Sequence, residues 1–286
     1  MAVLLKGKDV AKAIEEKDLN QIAELRNKGI EPVLSVFKVG NKDSDLSYLK
    51  GINKKSETLG VKVMLHEYSE DVDPELLYKD LDKDNADHNI HGILIFRPLP
   101  KQFDDEQLRN RINPDKDIDG CCDISLASIF INKNIGFAPC TAQAVLEILD
   151  YYNIEVSSKN VTVIGRSLVI GKPLAMMLLN RNATVTICHS RSKELSAQCR
   201  KADILVCASG QMEAVNDEFV NDDMCVIDVG ISWNEAKHKL CGDVLAEDVE
   251  DKVKMLTPVP GGVGAVTTAV LLDHVVTSAI NAAKDL

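Results

Sequence analysis

The sequence predicts an α/β protein built of two βαβ-type halves, and three observations carry that expectation. Short apolar runs alternate with stretches of helical periodicity. The alternation breaks at a proline-containing stretch and then restarts. The 286 residues suffice for one large domain or two ordinary ones with ample core. Strands spaced by helices argue for βαβ units and a mostly parallel sheet.

In the first half, residues 33–39, 61–66 and 91–96 read as strands, with helices over 44–59 and 74–81 between them. In the second half, 160–165 reads as a buried strand followed by a helix through 179. Strands are then expected over 184–189, 204–209, 225–230 and 254–259, and a final helix over 267–283. The halves join within 119–140. There is no internal repeat and no low-complexity segment.

Composition narrows the function. The chain is 45% hydrophobic, 27% charged and 4% aromatic, as in globular proteins. Net charge is −11 with no long basic run, which argues against a nucleic-acid partner, since phosphate neutralisation needs clustered Lys and Arg. None of the 8 cysteines forms a C-x-x-C pair, and several lie in apolar runs. They read as reduced thiols of a cytosolic protein, not as a disulfide framework or a zinc site. The 6 histidines show no H-x-x-x-H pair, so no metal is expected. No secretory segment fits Met1 to Val10, and no apolar run approaches bilayer length. The expected location is therefore the cytoplasm, with no membrane partner.

The strongest local motif is Val163-Ile164-Gly165-Arg166-Ser167-Leu168-Val169-Ile170-Gly171-Lys172-Pro173. A strand ends at Gly165 and a helix opens near Gly171. Glycines there permit a sharp turn and close backbone approach to a phosphate. The free N–H groups and positive dipole end of the helix attract a pyrophosphate, and Pro173 suits a first helical turn. Ser167 stands where the usual G-x-G-x-x-G has its second glycine, so an ordinary strand-to-helix turn is the alternative.

The cofactor class follows from the next strand. An NAD site places an acid about 20 residues on, to hold the ribose hydroxyls. No Asp or Glu occurs between Arg166 and Lys193, and the strand ends His189-Ser190-Arg191. Arg166, Ser190 and Arg191 together can hold a 2′-phosphate, which favours NADP; a solvated basic loop is the alternative. His189 can touch the cofactor or simply end its strand. Ser209, Gly210, Gly230 and Ile231 fall at the ends of later strands, where ligand loops occur. Pro258 to Gly264 packs two prolines and three glycines into seven residues, more special geometry than a plain turn needs.

With these residues in hand, the chain resembles the methylenetetrahydrofolate dehydrogenase/cyclohydrolase family over nearly its whole length. The pieces are Ser47-Tyr48-Leu49-Lys50, Arg97-Pro98-Leu99-Pro100, Asn113 to Gly120 (N-P-D-K-D-I-D-G), Pro139-Cys140-Thr141, the Gly165 to Pro173 loop and Thr257 to Gly264 (T-P-V-P-G-G-V-G). The resemblance implies two α/β domains with a folate cleft between them, the central one a Rossmann-type NADP-binding domain. Residues 1–120 with 268–286 would form the folate-binding catalytic domain and 121–267 the cofactor domain. It also implies a homodimer. Tyr48 should lie against the pterin. Asp119 should accept from the pterin's amino and ring N–H edge, as an acceptor-only carboxylate can. Pro98, Leu99, Pro260, Gly261 and Gly262 should touch the substrate. Without the resemblance, Tyr48 reads as a packing residue and Asp119 as a turn residue.

The chain departs from the family at two positions. The catalytic lysine four residues after the tyrosine is Ile52 here, and the glutamine two residues before the P-L-P string is Phe96. Hydride transfer needs chiefly a well-held nicotinamide and no obligatory protein base. Hydrolysis of the methenyl product needs proton movement, to which a positioned lysine contributes roughly 10²–10⁴-fold. Lys50 and Lys54 sit about 200° round a helix from Ile52, Lys55 shares its face loosely, and Arg97 should point opposite to Phe96 on a strand. The expectation is an NADP-dependent dehydrogenase with little or no cyclohydrolase activity. The alternatives are the bifunctional enzyme, a catalytically silent folate- and dinucleotide-binding regulatory protein, and an unrelated two-domain dehydrogenase.

Overall fold

In a computed structural model, residues 1–284 are described. The chain opens with β1 (Val3–Leu4) and α1 (Gly7–Asn27), then β2 (Val33–Val39), α2 (Asp43–Leu59), β3 (Lys62–Tyr68), α3 (Pro74–Ala86) and β4 (Gly92–Ile95). Short helices α4 (Asp105–Arg109) and α5 (Asp123–Phe130) lead to α6 (Cys140–Tyr151). Next come β5 (Asn160–Ile164), α7 (Gly171–Asn180), β6 (Thr184–Cys188), α8 (Leu195–Cys199), β7 (Ile204–Cys207) and β8 (Cys225–Asp228). A hairpin of β9 (Ser232–Asn234) and β10 (Lys239–Cys241), α9 (Ala246–Val249), β11 (Met255–Leu256) and α10 (Val263–Ala282) complete it.

The residues form two compact units: Met1–Lys12 with Thr141–Thr267, and Ala13–Cys140 with the chain from Thr268 onward. The second unit holds a three-stranded sheet in the order β3-β2-β4, with both pairs parallel. The central β2 is buried almost throughout, as a parallel strand covered on both faces must be. It includes Lys38, whose buried ammonium donates to Gly40 O at 3.0 Å and Asn41 Oδ1 at 2.7 Å and pairs with Glu67 at 3.0 Å. Burying that charge is tolerable only because it is fully paired, and the pairing pins the loop that follows β2.

The first unit carries a six-stranded sheet, β1-β11-β8-β7-β5-β6, parallel at every pair. The chain enters at β5, steps to β6 on one side, and then crosses to β7 on the other. This reversal leaves a crevice beyond the carboxyl ends of β5 and β7, the ligand position of a Rossmann-type sheet. The α/β class and the parallel sheets agree with the sequence reading.

The division of the chain differs from the expected one. The expected boundary at 120/121 falls instead at Cys140/Thr141. Residues 121–140 stay with the preceding segment because the Asp117 carboxylate accepts the Cys121 N–H at 3.1 Å and the Cys122 N–H at 2.9 Å. Gly120 is packed so tightly on the Phe137 to Pro139 backbone that a Cβ would overlap it. Met1–Lys12 joins the other unit because β1 pairs with β11. A second correction concerns α10, which by length and composition is apolar enough to cross a bilayer, although 61% of that stretch is buried within the protein, as in a core helix. Thr267, Thr268, Asp273 and Ser278 interrupt its apolar residues, so it contains no unbroken apolar run of that length.

Candidate functional site

In the unit containing Ala13–Cys140, the chain order places β2 centrally with β3 and β4 on either side, so a topological switch point, the usual ligand position of such sheets, lies beyond the carboxyl ends of β2 and β4. Phe96 and Arg97 follow β4 directly, and the Phe96 N–H donates to Phe37 O at 3.0 Å. The Lys42 ammonium reaches Pro98 O at 2.6 Å and ties the two strand ends together. Tyr48, in the second turn of α2, leans on Phe96 with ring centroids 5.5 Å apart. It remains 36% exposed, so one face is packed and another is open. Desolvation, with the nearby Asp119 charge, raises its hydroxyl above the usual range and keeps it a neutral phenol. Ile52, one turn further along α2, is 0% exposed, and Phe96 is also buried.

The turn role open to Asp119 belongs instead to Asp117, which caps the Cys121 and Cys122 N–H groups. Asp119 stands free of that duty with its side chain 33% exposed. Its enclosed setting pushes its pKa up to about 6, against the downward pull of Arg97. Arg97 corrects the sequence reading. Strand alternation predicted that it would point away from Phe96, but β4 ends at Ile95 and alternation does not extend to it. Its guanidinium lies 3.6 Å from Asp119 and 3.6 Å from Asp105. Lys55, which shares the Ile52 face only loosely, pairs with Glu15 of α1.

Cys140 and His274 were not anticipated. The Cys140 thiol donates to Ile118 O at 3.1 Å, and the His274 ring bonds the same oxygen at 2.8 Å. Together they fix the backbone one residue before Asp119. Burial holds the thiol protonated and disfavours the charged imidazole.

The other unit carries the dinucleotide candidates. Gly165 has φ +128, and a Cβ there would overlap the Ala208 carbonyl. A Cβ on Gly171 would overlap Gly165 O, so both glycines are required by close packing. The Ser167 hydroxyl accepts the Ile170 N–H at 3.2 Å and shapes the loop before α7, whose first turn contains the buried Pro173. Arg166, Ser190 and Arg191 are exposed beyond the ends of β5 and β6, which pair up to Ile164 and Cys188. His189 is turned into its own loop, accepting the Arg191 N–H at 3.2 Å.

Asp243, also missed, organises the next loops. Its Oδ2 accepts the Ser209 N–H at 2.6 Å, the Ser209 hydroxyl at 2.9 Å and the Gly210 N–H at 3.0 Å. Asp228 accepts the Gly230, Asp243 and Val244 N–H groups, each at 3.0 Å. Burial raises the Asp228 pKa to about 7 despite those donors. Ile231 follows, exposed. In the Pro258 to Gly264 loop, Pro260 and Gly261 are exposed while Gly262 is buried, and Gly261 O accepts the Gly7 N–H at 2.8 Å. All eight cysteines are free thiols, and no group of three metal-binding side chains occurs among the described residues.

A doubly wound parallel sheet with a glycine-shaped turn after its first central strand, carried with a second α/β unit, is the architecture of a dinucleotide-binding class of protein. Residues 5–119 match the catalytic domain of tetrahydrofolate dehydrogenase/cyclohydrolase, and residues 139–283 match its NAD(P)-binding domain. The chain is 45% identical over 276 residues to the bifunctional protein FolD of Clostridium kluyveri, covering 96% of this chain and 97% of that one. Among solved structures, it is similar to the bifunctional enzyme FolD of Campylobacter jejuni at TM-score 0.95 and 36% identity, covering 98% and 99% of the two chains. It is also similar to the Trypanosoma brucei methylenetetrahydrofolate dehydrogenase-cyclohydrolase complexed with NADP and an inhibitor, at TM-score 0.92 and 32% identity, covering 99% of each. The chain belongs to the tetrahydrofolate dehydrogenase/cyclohydrolase family.

Proposed function

We propose that this chain is an NADP-dependent methylenetetrahydrofolate dehydrogenase whose cyclohydrolase step is weak or absent. The observation that carries the second clause is the apolar pair Ile52 and Phe96, both buried where the family resemblance expects a lysine and a glutamine. When bound, NADP accepts the hydride from the methylene carbon. The Gly165 turn packs its backbone closely on Ala208 and leads into α7; the free N–H groups and positive dipole end at the start of that helix suit the cofactor's pyrophosphate. Arg166, Ser190 and Arg191 supply donors for a 2′-phosphate.

On this reading, Asp119 accepts from the pterin edge and Tyr48 lies against the ring. The neighbouring Phe96 and Ile52 exclude water from the reacting end, which hydride transfer tolerates and hydrolysis does not. The reading extends, through the family, to a homodimer acting in the cytoplasm.

A second reading, the bifunctional enzyme, is favoured by the names of the close relatives. The decay of added methenyltetrahydrofolate, with and without the protein, separates the two. The buffer must not itself catalyse ring opening. The expected result is rapid reduction of NADP on methylenetetrahydrofolate, with methenyltetrahydrofolate accumulating and decaying at its spontaneous rate. Clear acceleration by the protein rejects the dehydrogenase-only reading, and Lys55→Met then tests whether Lys55 leaves Glu15 to serve as the base.

A further inference from the structure

Arg97 is a cation inside an acidic pocket. Asp119, Asp105 and Asp117 face it, with the Cys121 thiol beside them. Its side chain is only 24% exposed, yet its nearest carboxylate oxygens stand at 3.6 Å, beyond hydrogen-bond range. Among the described residues its guanidinium makes no hydrogen bond, so its five N–H donors are oriented by charge and left uncommitted. Asp119 beside it offers acceptors only.

A pterin edge presents, in a row, the 2-amino group, the N3–H and the C4 carbonyl: donor, donor, acceptor. A carboxylate answers the first two and a guanidinium answers the third. We propose that Arg97 is a specificity-determining residue that reads the 4-oxo group of the pterin while its neighbour Asp119 reads the 2-amino and N3–H groups. This rests on the folate reading above. Arg97 also has an electrostatic effect, because it favours the ionised form of Asp119 against desolvation and the nearby Asp117 charge. Tyr48, Cys121 and Cys140, which also face Asp119, are raised by burial and stay neutral.

The test compares folic acid with its 4-amino analogue by titration calorimetry at pH 8 on the NADP-loaded protein. The analogue places a donor where Arg97 needs an acceptor. The unmodified protein should prefer the 4-oxo ligand. Arg97→Met should cut that preference on the order of tenfold, the value of a charge-assisted hydrogen bond, while NADP affinity stays unchanged. The acid limb of kcat/KM for methylenetetrahydrofolate should also move to higher pH, since Asp119 loses its cationic neighbour. Should Arg97→Met fail to bind NADP, Arg97→Gln carries the same comparison with the same expected direction. A preference unchanged within about threefold, or none in the unmodified protein, overturns the proposal and leaves the folate reading standing. Failure of both ligands to bind the unmodified protein overturns the folate reading itself.

Discussion

Arg166 stands exposed just past Gly165, with Ser190 and Arg191 at the end of the neighbouring strand. A guanidinium so placed helps little with a neutral ribose hydroxyl and much with a dianionic phosphate. Arg166→Ala should therefore raise the KM for NADP by roughly tenfold or more, with little effect on NAD; steady-state kinetics with both cofactors measures it. Equal use of the two cofactors by the unmodified protein would reject the 2′-phosphate role. Chemistry was most readable in the sequence where side-chain type alone implies it, as at Arg166 or at Ile52. It was least readable where it depends on a partner brought from elsewhere in the chain. Arg97 becomes a pocket cation only because the strand stops at Ile95 and Asp119 arrives from 22 positions further along.

At the scale of elements, strands with β-branched runs and helices with caps were legible. α2 and α3 were found because Leu49, Ile52, Ser56 and Leu59, or Leu77, Tyr78 and Leu81, recur at helical spacing. α1 is not legible in the sequence, although Val10, Ile14, Ile22 and Leu25 form a buried stripe, because Asp18 sits inside that stripe. The β9–β10 hairpin was missed since its paired residues are only three a side. Its effect on the loops is concrete, because Gly242 and Asp243 follow β10 and deliver the carboxylate that holds Ser209 and Gly210. Asp243→Ala removes the acceptor and leaves the Ser209 and Gly210 N–H groups without a partner. It should raise the KM for NADP several-fold and lower the melting temperature, readable by kinetics and thermal denaturation. Unchanged NADP affinity alongside a lowered melting temperature would make Asp243 a stabilising residue only.

For the whole molecule, the feature with the largest expected effect is the buried carboxyl Asp18 on α1. It is 0% exposed, and its neutral form is held by a hydrogen bond to Asp273. Asp273 of α10 and Glu15 face it with like charge, and Lys17, paired with Asp273, opposes them. Burial pushes its pKa up to about 8. A carboxyl raised in the folded state keeps its stabilising neutral form below its unfolded value of 3.8, and that contribution is lost as pH rises through about 8. The melting temperature should thus fall between pH 5 and 9, and Asp18→Asn should flatten the fall. A parallel fall in the variant would place the pH dependence elsewhere. The pairing of Val3 and Leu4 with Met255 and Leu256 has a temporal consequence. Val3 and Leu4 cannot reach their place until synthesis has passed Leu256, near the far end of the chain. Closing so long a loop costs entropy that only the finished sheet returns. The edge beside β8 therefore stays open while the nascent chain grows, and the outermost strand of the cofactor sheet is among the last pieces to settle.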